Sequence, residues 1–211
     1  MITSEKLDYF LRRFDRLSSY YRYNPFTHWV GASELGAMRD LLPPPERHGE
    51  TPALDFGCGT GRVTKLLLEA GYRTTGYDIS PGMVKQARAE IGDRKDVCFT
   101  SDPEAVNGPW ALIAVLGVLD YYPDSAALWR EWRRLIQPGG TLLITAPNAH
   151  SPLARIYTTL SRFTCQAYAT TFEKLVDSAK MAGFTPLEVR FAFPRRWWGH
   201  TIVCAFQDQS I

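Results

Sequence analysis

Between residues 52 and 147 short apolar runs alternate with amphipathic stretches. Ala53–Phe56, Arg73–Asp78, Val97–Thr100, Ala111–Leu116 and Thr141–Ala146 read as strands. Three helices are expected between them. Thr60–Ala70 is closed by Gly71, a second helix runs from Pro81 to about Ile91 behind a Ser80 cap, and Asp124–Gln137 is ended by Pro138-Gly139-Gly140. Strand and helix patterns that alternate in this way predict an α/β fold, a parallel sheet covered by helices on both faces.

The flanks read differently. Leu7, Phe10, Leu11, Phe14 and Leu17 recur at three- and four-residue spacings and predict a helix over 4–20. An aromatic stretch follows, with Tyr20, Tyr21, Tyr23, Phe26 and Trp29, and Asn24-Pro25 is expected to break any helix there. Ser33–Leu42 reads as a helix stopped by three prolines. Beyond Ala146, residues 147–168 read as a polar and aromatic connection with a short helix from Pro152. A helix capped by Thr170 reaches Ala182, and two strands, Leu187–Phe193 and Thr201–Phe206, form an antiparallel hairpin. The expected organisation is effectively one domain: an N-terminal helical and aromatic cap over 1–50, then a domain over 51–211 with 147–168 as a substrate-side insertion.

Composition removes several classes of function. A chain of 211 residues with a net charge of +2 has no basic excess for nucleic acid. Its N-terminal residues lack the apolar core of a leader, and no run is apolar for long enough to cross a bilayer, so a cytoplasmic protein is expected. Cys58, Cys98, Cys165 and Cys204 are scattered, without a C-x-x-C pair; they read as small buried hydrophobes, and no metal site is expected.

Chemistry concentrates at the expected strand ends, where open α/β sheets bind ligands. Gly57, Gly59 and Gly61 follow the first strand in Leu54-Asp55-Phe56-Gly57-Cys58-Gly59-Thr60-Gly61-Arg62. Glycines there let the chain turn tightly and let backbone amides approach a ligand at a helix N-terminus. Asp78 ends the second strand, at the spacing where an acidic residue accepts from ribose hydroxyls. Ser101 and Asp102 follow the third strand, and Leu116 to Tyr122 the fourth.

These pieces resemble the class I S-adenosylmethionine (SAM)-dependent methyltransferases. The similarity lies in L-D-F-G-C-G-T-G-R at 54–62, G-Y-D-I-S-P-G-M-V at 76–84, T-S-D at 100–102, L-G-V-L-D-Y-Y-P-D at 116–124 and Q-P-G-G-T-L-L-I-T at 137–145. The resemblance implies a Rossmann-like three-layer sandwich whose seven-stranded, mostly parallel sheet has an antiparallel last strand. It also implies roles. The backbone of Gly57, Cys58 and Gly59 would approach the methionine part of SAM, supported by Asp55. Asp78 would bind the ribose diol, Ile79 and Met83 would lie against adenine, and Asp102 would accept from the adenine amino group, with Ser101 or Pro103 beside the ring. Leu116 would offer its carbonyl, and Tyr20 and Tyr21 would cover the cofactor. The sequence departs from the pattern at Ala111, where many relatives carry an acid, and at Pro103, where a small residue is usual.

The sulfonium of SAM supplies the reactive methyl, so the protein's work is chiefly orientation, which contributes on the order of 7–11 kcal/mol in well-aligned systems. A base is needed only for an acceptor that holds its proton near neutral pH. Asp120, His150 and His28 are the candidates, and His200, at a strand start, reads as structural. Tyr23, Phe26, Trp29, Tyr121, Tyr122, Tyr157 and Trp197 are the expected acceptor-side aromatics, suited to a flat, apolar or cationic acceptor. The expected activity is methyl transfer to oxygen or nitrogen of a small aromatic or amphipathic metabolite by a monomer or homodimer, with S-adenosylhomocysteine (SAH) as product. Arg195-Arg196-Trp197-Trp198 could also rest weakly on a membrane surface. The absence of an N-P-P-[YF]-type motif at Leu119-Asp120-Tyr121-Tyr122 disfavours nucleic-acid bases as acceptors. The competing readings are a SAM-binding scaffold without turnover and an NAD(P)-dependent oxidoreductase.

Overall fold

The structure, a computed structural model, describes residues 25–163 and 166–209, without the side chains of 25–28. The expected helix over 4–20, Tyr20, Tyr21, Tyr23, the side chains of Phe26 and His28, and Cys165 lie outside that description. In chain order the elements are α1 (Pro25–Leu41), β1 (Pro52–Phe56), α2 (Arg62–Glu69), β2 (Arg73–Tyr77), α3 (Pro81–Ile91), β3 (Val97–Thr100), β4 (Trp110–Val115), α4 (Ala126–Leu135), β5 (Ile136–Pro147), α5 (Pro152–Ser161), α6 (Phe172–Met181), β6 (Phe184–Ala192) and β7 (Thr201–Asp208). Single 3₁₀ turns at Pro103–Ala105 and Leu119–Tyr121 follow β3 and β4. The strands form a seven-stranded mixed sheet, to which one compact unit brings β3-β2-β1 and another β4-β5-β7-β6.

The first of these units contains Pro44–Asn107. Its strands are parallel, with Phe56 paired to Tyr77 and Tyr77 to Thr100, so their carboxyl ends share one edge. The apolar face of α2 puts Val63, Leu66, Leu67 and Leu68 inside. Burying each such side chain stabilises by about 1.5–3 kcal/mol. α3 begins as its sequence dictates: Ser80 Oγ accepts from the Met83 amide at 3.2 Å, with Pro81 at the first helical position.

The second unit holds Trp29–Pro43 and the chain from Gly108 onward. Here β4 and β5 are parallel, while β7 runs antiparallel to both β5 and β6. Antiparallel pairing places Thr201, at the start of β7, opposite Pro147, at the end of β5. The N-terminal end of β7 therefore lies at the carboxyl edge of β5. The core is aromatic: Trp129 meets Trp132 at 5.3 Å and Phe206 edge-on at 5.7 Å between ring centroids, all three buried. Such pairs contribute about 0.5–1.5 kcal/mol beyond area burial.

Several boundaries differ from the sequence expectation. Pro25 starts a helix instead of breaking one, because a first-turn proline gives up an N–H that has no intrahelical partner there. Thr171, not Thr170, caps α6, its hydroxyl accepting from the Lys174 amide at 3.3 Å. α2 starts at Arg62, after Gly61 in the left-handed region, instead of at Thr60. α4 ends at Leu135 and β5 starts immediately, continuing through Pro138-Gly139-Gly140. Buried Asp208 holds that segment, accepting from the Gly139 amide at 3.3 Å and pairing with Arg133 at 3.0 Å. β6 begins at Phe184, three residues before the expected start. Cys98 is exposed on β3, whereas Cys58 and Cys204 are buried.

Candidate cofactor and active site

The G-C-G-T-G turn is fixed from within its own unit. The amides of Gly57 and Cys58 both donate to the Tyr77 carbonyl, at 2.7 and 2.8 Å, and the Gly61 amide donates to Cys58 at 2.9 Å. The Gly59 amide donates to Asp78 Oδ2 at 2.8 Å, and the Ser80 amide to Asp78 Oδ1 at 2.9 Å. The sequence suggested amides aimed at a ligand; in the structure those donors are committed to the protein. What Gly57 retains is its carbonyl, a group suited to a cationic ammonium. Cys58 points its thiol into a cluster with Val84, Ala87 and Phe99, and burial pushes that thiol well above the usual range.

Asp55 is buried beneath this turn. Its Oδ2 accepts from the Thr64 hydroxyl at 2.6 Å, which ties the end of β1 to α2. Its Oδ1 is buried with no hydrogen-bond partner among the described residues. Burial pushes the carboxyl up to about 7, against the lowering effect of the hydrogen bonds from Thr64 and with a smaller raising contribution from Asp78.

Other cofactor-side expectations fall unevenly. Ile79 is exposed beside Asp78, whereas Met83 is buried. Asp102 is exposed and caps the short 3₁₀ turn, Oδ1 accepting from the Glu104 amide at 2.9 Å; Ser101 beside it is half-buried.

The second unit carries the acceptor-side residues. Leu116 is half-buried, and the following Gly117 amide donates to Thr145 Oγ1 at 3.0 Å. Asp120 sits on the 3₁₀ turn after β4, its carbonyl accepting from the Tyr168 amide at 2.7 Å. Burial, with Glu34 of α1 adding like charge, pushes the Asp120 carboxyl up to about 7. Tyr121 and Tyr122 beside it are half-buried, and burial raises the Tyr122 phenol. Glu34 Oε1 accepts from Thr201 Oγ1 at 2.6 Å, and Thr201 Oγ1 lies 2.9 Å from His200 Nδ1. Tyr157 of α5 packs on His200 with ring centroids 5.5 Å apart.

His150 is exposed on the turn after β5, its ring 6.5 Å from Trp197. Trp197 is itself exposed and lines a cleft of about 230 Å³ with Asp40, Arg190, Arg195 and Arg196. Trp29 is 65% exposed. Arg195 is engaged by Asp40 at 3.0 Å.

Four residues with structural weight escaped the sequence reading. Thr64 acts through Asp55, nine residues before it, and Glu34 through Thr201, far along the chain, and no spacing signals either pair. Thr145 is apolar-looking within a strand pattern. Asn148 is buried, donating through Nδ2 to the Trp197 and Gly199 carbonyls at 2.8 and 2.9 Å and accepting at Oδ1 from the His150 amide at 3.0 Å. Its place directly after an apolar strand was the one available signal.

The residues fit a SAM-type ligand on two observations. Asp55 keeps a buried acceptor without a partner beneath the turn, and a Cβ built on Gly59 would meet no atom within 4 Å, so space lies open there. Comparison with known proteins agrees. Residues 54–144 match a family described as a methyltransferase domain. The ubiquinone biosynthesis O-methyltransferase of Pseudomonas aeruginosa strain UCBPP-PA14 is 28% identical over 142 residues, 61% of this chain and 61% of that protein. The trans-aconitate 2-methyltransferase of Azoarcus sp. strain BH72 is 33% identical over 123 residues, 57% of this chain and 49% of that protein. The chain thus spans about half to three-fifths of the length of these relatives. The magnesium protoporphyrin IX methyltransferase of Synechocystis PCC 6803 with bound SAH superposes with a TM-score of 0.71 at 17% identity, over 95% of this chain and 97% of that one.

The seven-stranded sheet has the Rossmann-like fold of solved methyltransferases, and the segment that carries the glycine turn matches their family. The matched segment, residues 54–144, is similar to SAM-dependent methyltransferases.

Proposed function

We propose that this chain transfers a methyl group from SAM to an oxygen or nitrogen of a small aromatic or amphipathic metabolite and releases SAH. The observation that carries the reading is the Asp78 carboxylate at the end of β2, which grips the glycine turn and the start of α3 together. An acidic side chain at the end of this strand has the chemistry and the spacing that accept from ribose hydroxyls. In this reading the Gly57 carbonyl and the free Asp55 oxygen face the amino-acid part, Ile79 and Asp102 the adenine, and Leu116 offers its carbonyl. When bound, SAM supplies an electrophilic methyl on a sulfonium. Asp120, whose carboxyl sits near 7, can hold or take a proton at neutral pH. His150 and Trp197, together on the turn side, and Tyr121, Tyr122, Tyr157 and Trp29 supply acceptor contacts, with His28, Tyr20, Tyr21, Tyr23 and Phe26 assigned from sequence alone.

Relatives named for ubiquinone biosynthesis and for trans-aconitate support a small acceptor in preference to a macromolecule. Among the described residues no helix is long and apolar enough to cross a membrane, and no group of side chains could hold a metal ion. Calorimetric titration with SAM, SAH and NADPH tests the cofactor: micromolar SAH binding is expected, and NADPH binding without SAH binding overturns the reading. Release of SAH across a panel of phenols, carboxylic acids and amines then tests transfer.

A further inference from the structure

We propose that Glu34, Thr201 and His200 form a relay that presents the Nε2 lone pair of neutral His200 as a proton acceptor for a hydroxyl-bearing acceptor. The inference rests on the methyltransferase reading above and deepens it, because it selects the acceptor class.

The geometry is directional. Glu34 Oε1 and Thr201 Oγ1 are 2.6 Å apart, and a carboxylate only accepts, so the hydroxyl proton points to Glu34. Thr201 Oγ1 then has only lone pairs to offer His200 Nδ1 at 2.9 Å, so Nδ1 must carry the ring proton. The ring nitrogen on the other side, Nε2, is left with a lone pair and has no hydrogen-bond partner among the described residues. Tyr157 holds the ring from one side at 5.5 Å, and the Asn148 amide donates to the His200 carbonyl at 2.8 Å, fixing its backbone. Because β7 is antiparallel to β5, this imidazole stands at the carboxyl edge of β5, where open α/β sheets place their ligands.

Among the described residues, the charged and titratable groups around the relay are Glu34 from α1, Asp120 from the turn after β4 and Tyr157 from α5; the turn after β5 contributes the uncharged Asn148. Burial holds His200 below the ordinary imidazole range, so the ring is neutral at pH 7 and able to accept. The step balances. The acceptor proton passes to Nε2, the acceptor oxygen's electron pair forms the new O–CH3 bond, and the S–CH3 bond breaks with its pair left on the sulfur of SAH. The imidazolium then returns its proton to water. A carboxylic acid, already ionised at pH 7, needs none of this. A phenol, which holds its proton, does. The relay therefore points to hydroxylated aromatic acceptors.

Nitrogen-15 NMR of histidine-labelled protein reads the relay without turnover, with the His200 signal assigned by its loss in His200→Gln. The expected result is the Nδ1–H tautomer at pH 7 in the wild type and a shift toward Nε2–H in Thr201→Val. An Nε2–H tautomer in the wild type overturns the inference, even if Thr201→Val does not fold. Turnover supplies the second arm. On phenols of the acceptor panel, His200→Gln is expected to lower kcat at least 100-fold while SAH affinity stays within threefold. A loss below tenfold, or a loss confined to Asp120→Asn, overturns the proton-accepting role. Failure of the wild type to bind SAH, or bound SAH with no turnover across the whole panel, counts instead against the methyltransferase reading.

Discussion

Asp78 and Gly59, nineteen residues apart, are joined by a 2.8 Å hydrogen bond that closes the glycine turn onto the end of β2. The same carboxylate takes the Ser80 amide at 2.9 Å. One side chain therefore shapes both the loop after β1 and the entry to α3. Asp78→Ala removes two acceptors at once and frees the turn. The expected loss of SAH affinity is about 1–3 kcal/mol, roughly 5- to 150-fold, measured by calorimetry. Unchanged affinity would remove Asp78 from the site.

Two glycines of the turn separate stability from binding. Gly61 has φ +90°, and a Cβ there would stand 2.9 Å from Ile91 Cδ1 and 3.4 Å from Ala87 Cβ, between α2 and α3. Gly59 has φ +52°, and its Cβ would enter open space. Gly61→Ala is expected to cost about 1–3 kcal/mol of stability, combining left-handed strain with the contact. Gly59→Ala should cost about 1 kcal/mol in stability but more SAH affinity than Gly61→Ala, because its methyl occupies the space over the turn. Thermal melts and SAH titrations of the two variants check the opposite rankings.

The alternating core was legible because each of its signals is local. Ser80-Pro81 starts α3 as a cap and first-turn proline must, and the apolar run at Leu112–Val115 could only be a buried strand. What could not be read depends on distant partners. Gly139 lies in the left-handed region (φ +71°) inside a strand-bearing segment because Asp208, sixty-nine residues on, accepts its amide. His200 read as structural because it stands at a strand start; Glu34 reaches it only through the fold, by way of Thr201. The amides of the glycine turn looked free because the sequence does not reveal that the Tyr77 carbonyl takes two of them.

Asp55 makes stability fall with pH. Its carboxyl titrates near 3.8 when exposed and near 7 in the fold, where burial penalises the charge. The folded protein therefore binds the proton more tightly than the unfolded chain. This contribution is complete below about pH 4 and is lost as pH rises to about 7. Asp55→Asn keeps the shape and cannot ionise. The stability of the variant relative to wild type should rise across that window by up to about 4 kcal/mol, and stay level above it. Asp120 titrates in the same direction but is present in both proteins, so it cancels. Urea midpoints at pH 4, 5, 6, 7 and 8 give the curve, and a flat difference would mean that Asp55 ionises normally.

Asn148 is the keystone of the β6–β7 hairpin that carries Trp197 and His200. It is 1% exposed, and its Nδ2 satisfies the Trp197 and Gly199 carbonyls while Oδ1 takes the His150 amide. Asn148→Ala strands these groups, of which the Gly199 carbonyl is bonded entirely within buried surroundings. At about 1–3 kcal/mol for each buried group left unpaired, a loss of roughly 2–4 kcal/mol is expected from urea unfolding. Asn148→Asp separates lost donors from lost volume. It keeps the acceptor for His150 but turns the donor into an oxygen facing two carbonyl oxygens. Its ionised form is repelled there, so its deficit should grow as pH rises through the carboxylate range, whereas that of Asn148→Ala should stay constant. Equal deficits for the two variants at every pH would show that the cost comes from packing and not from the two donated hydrogen bonds.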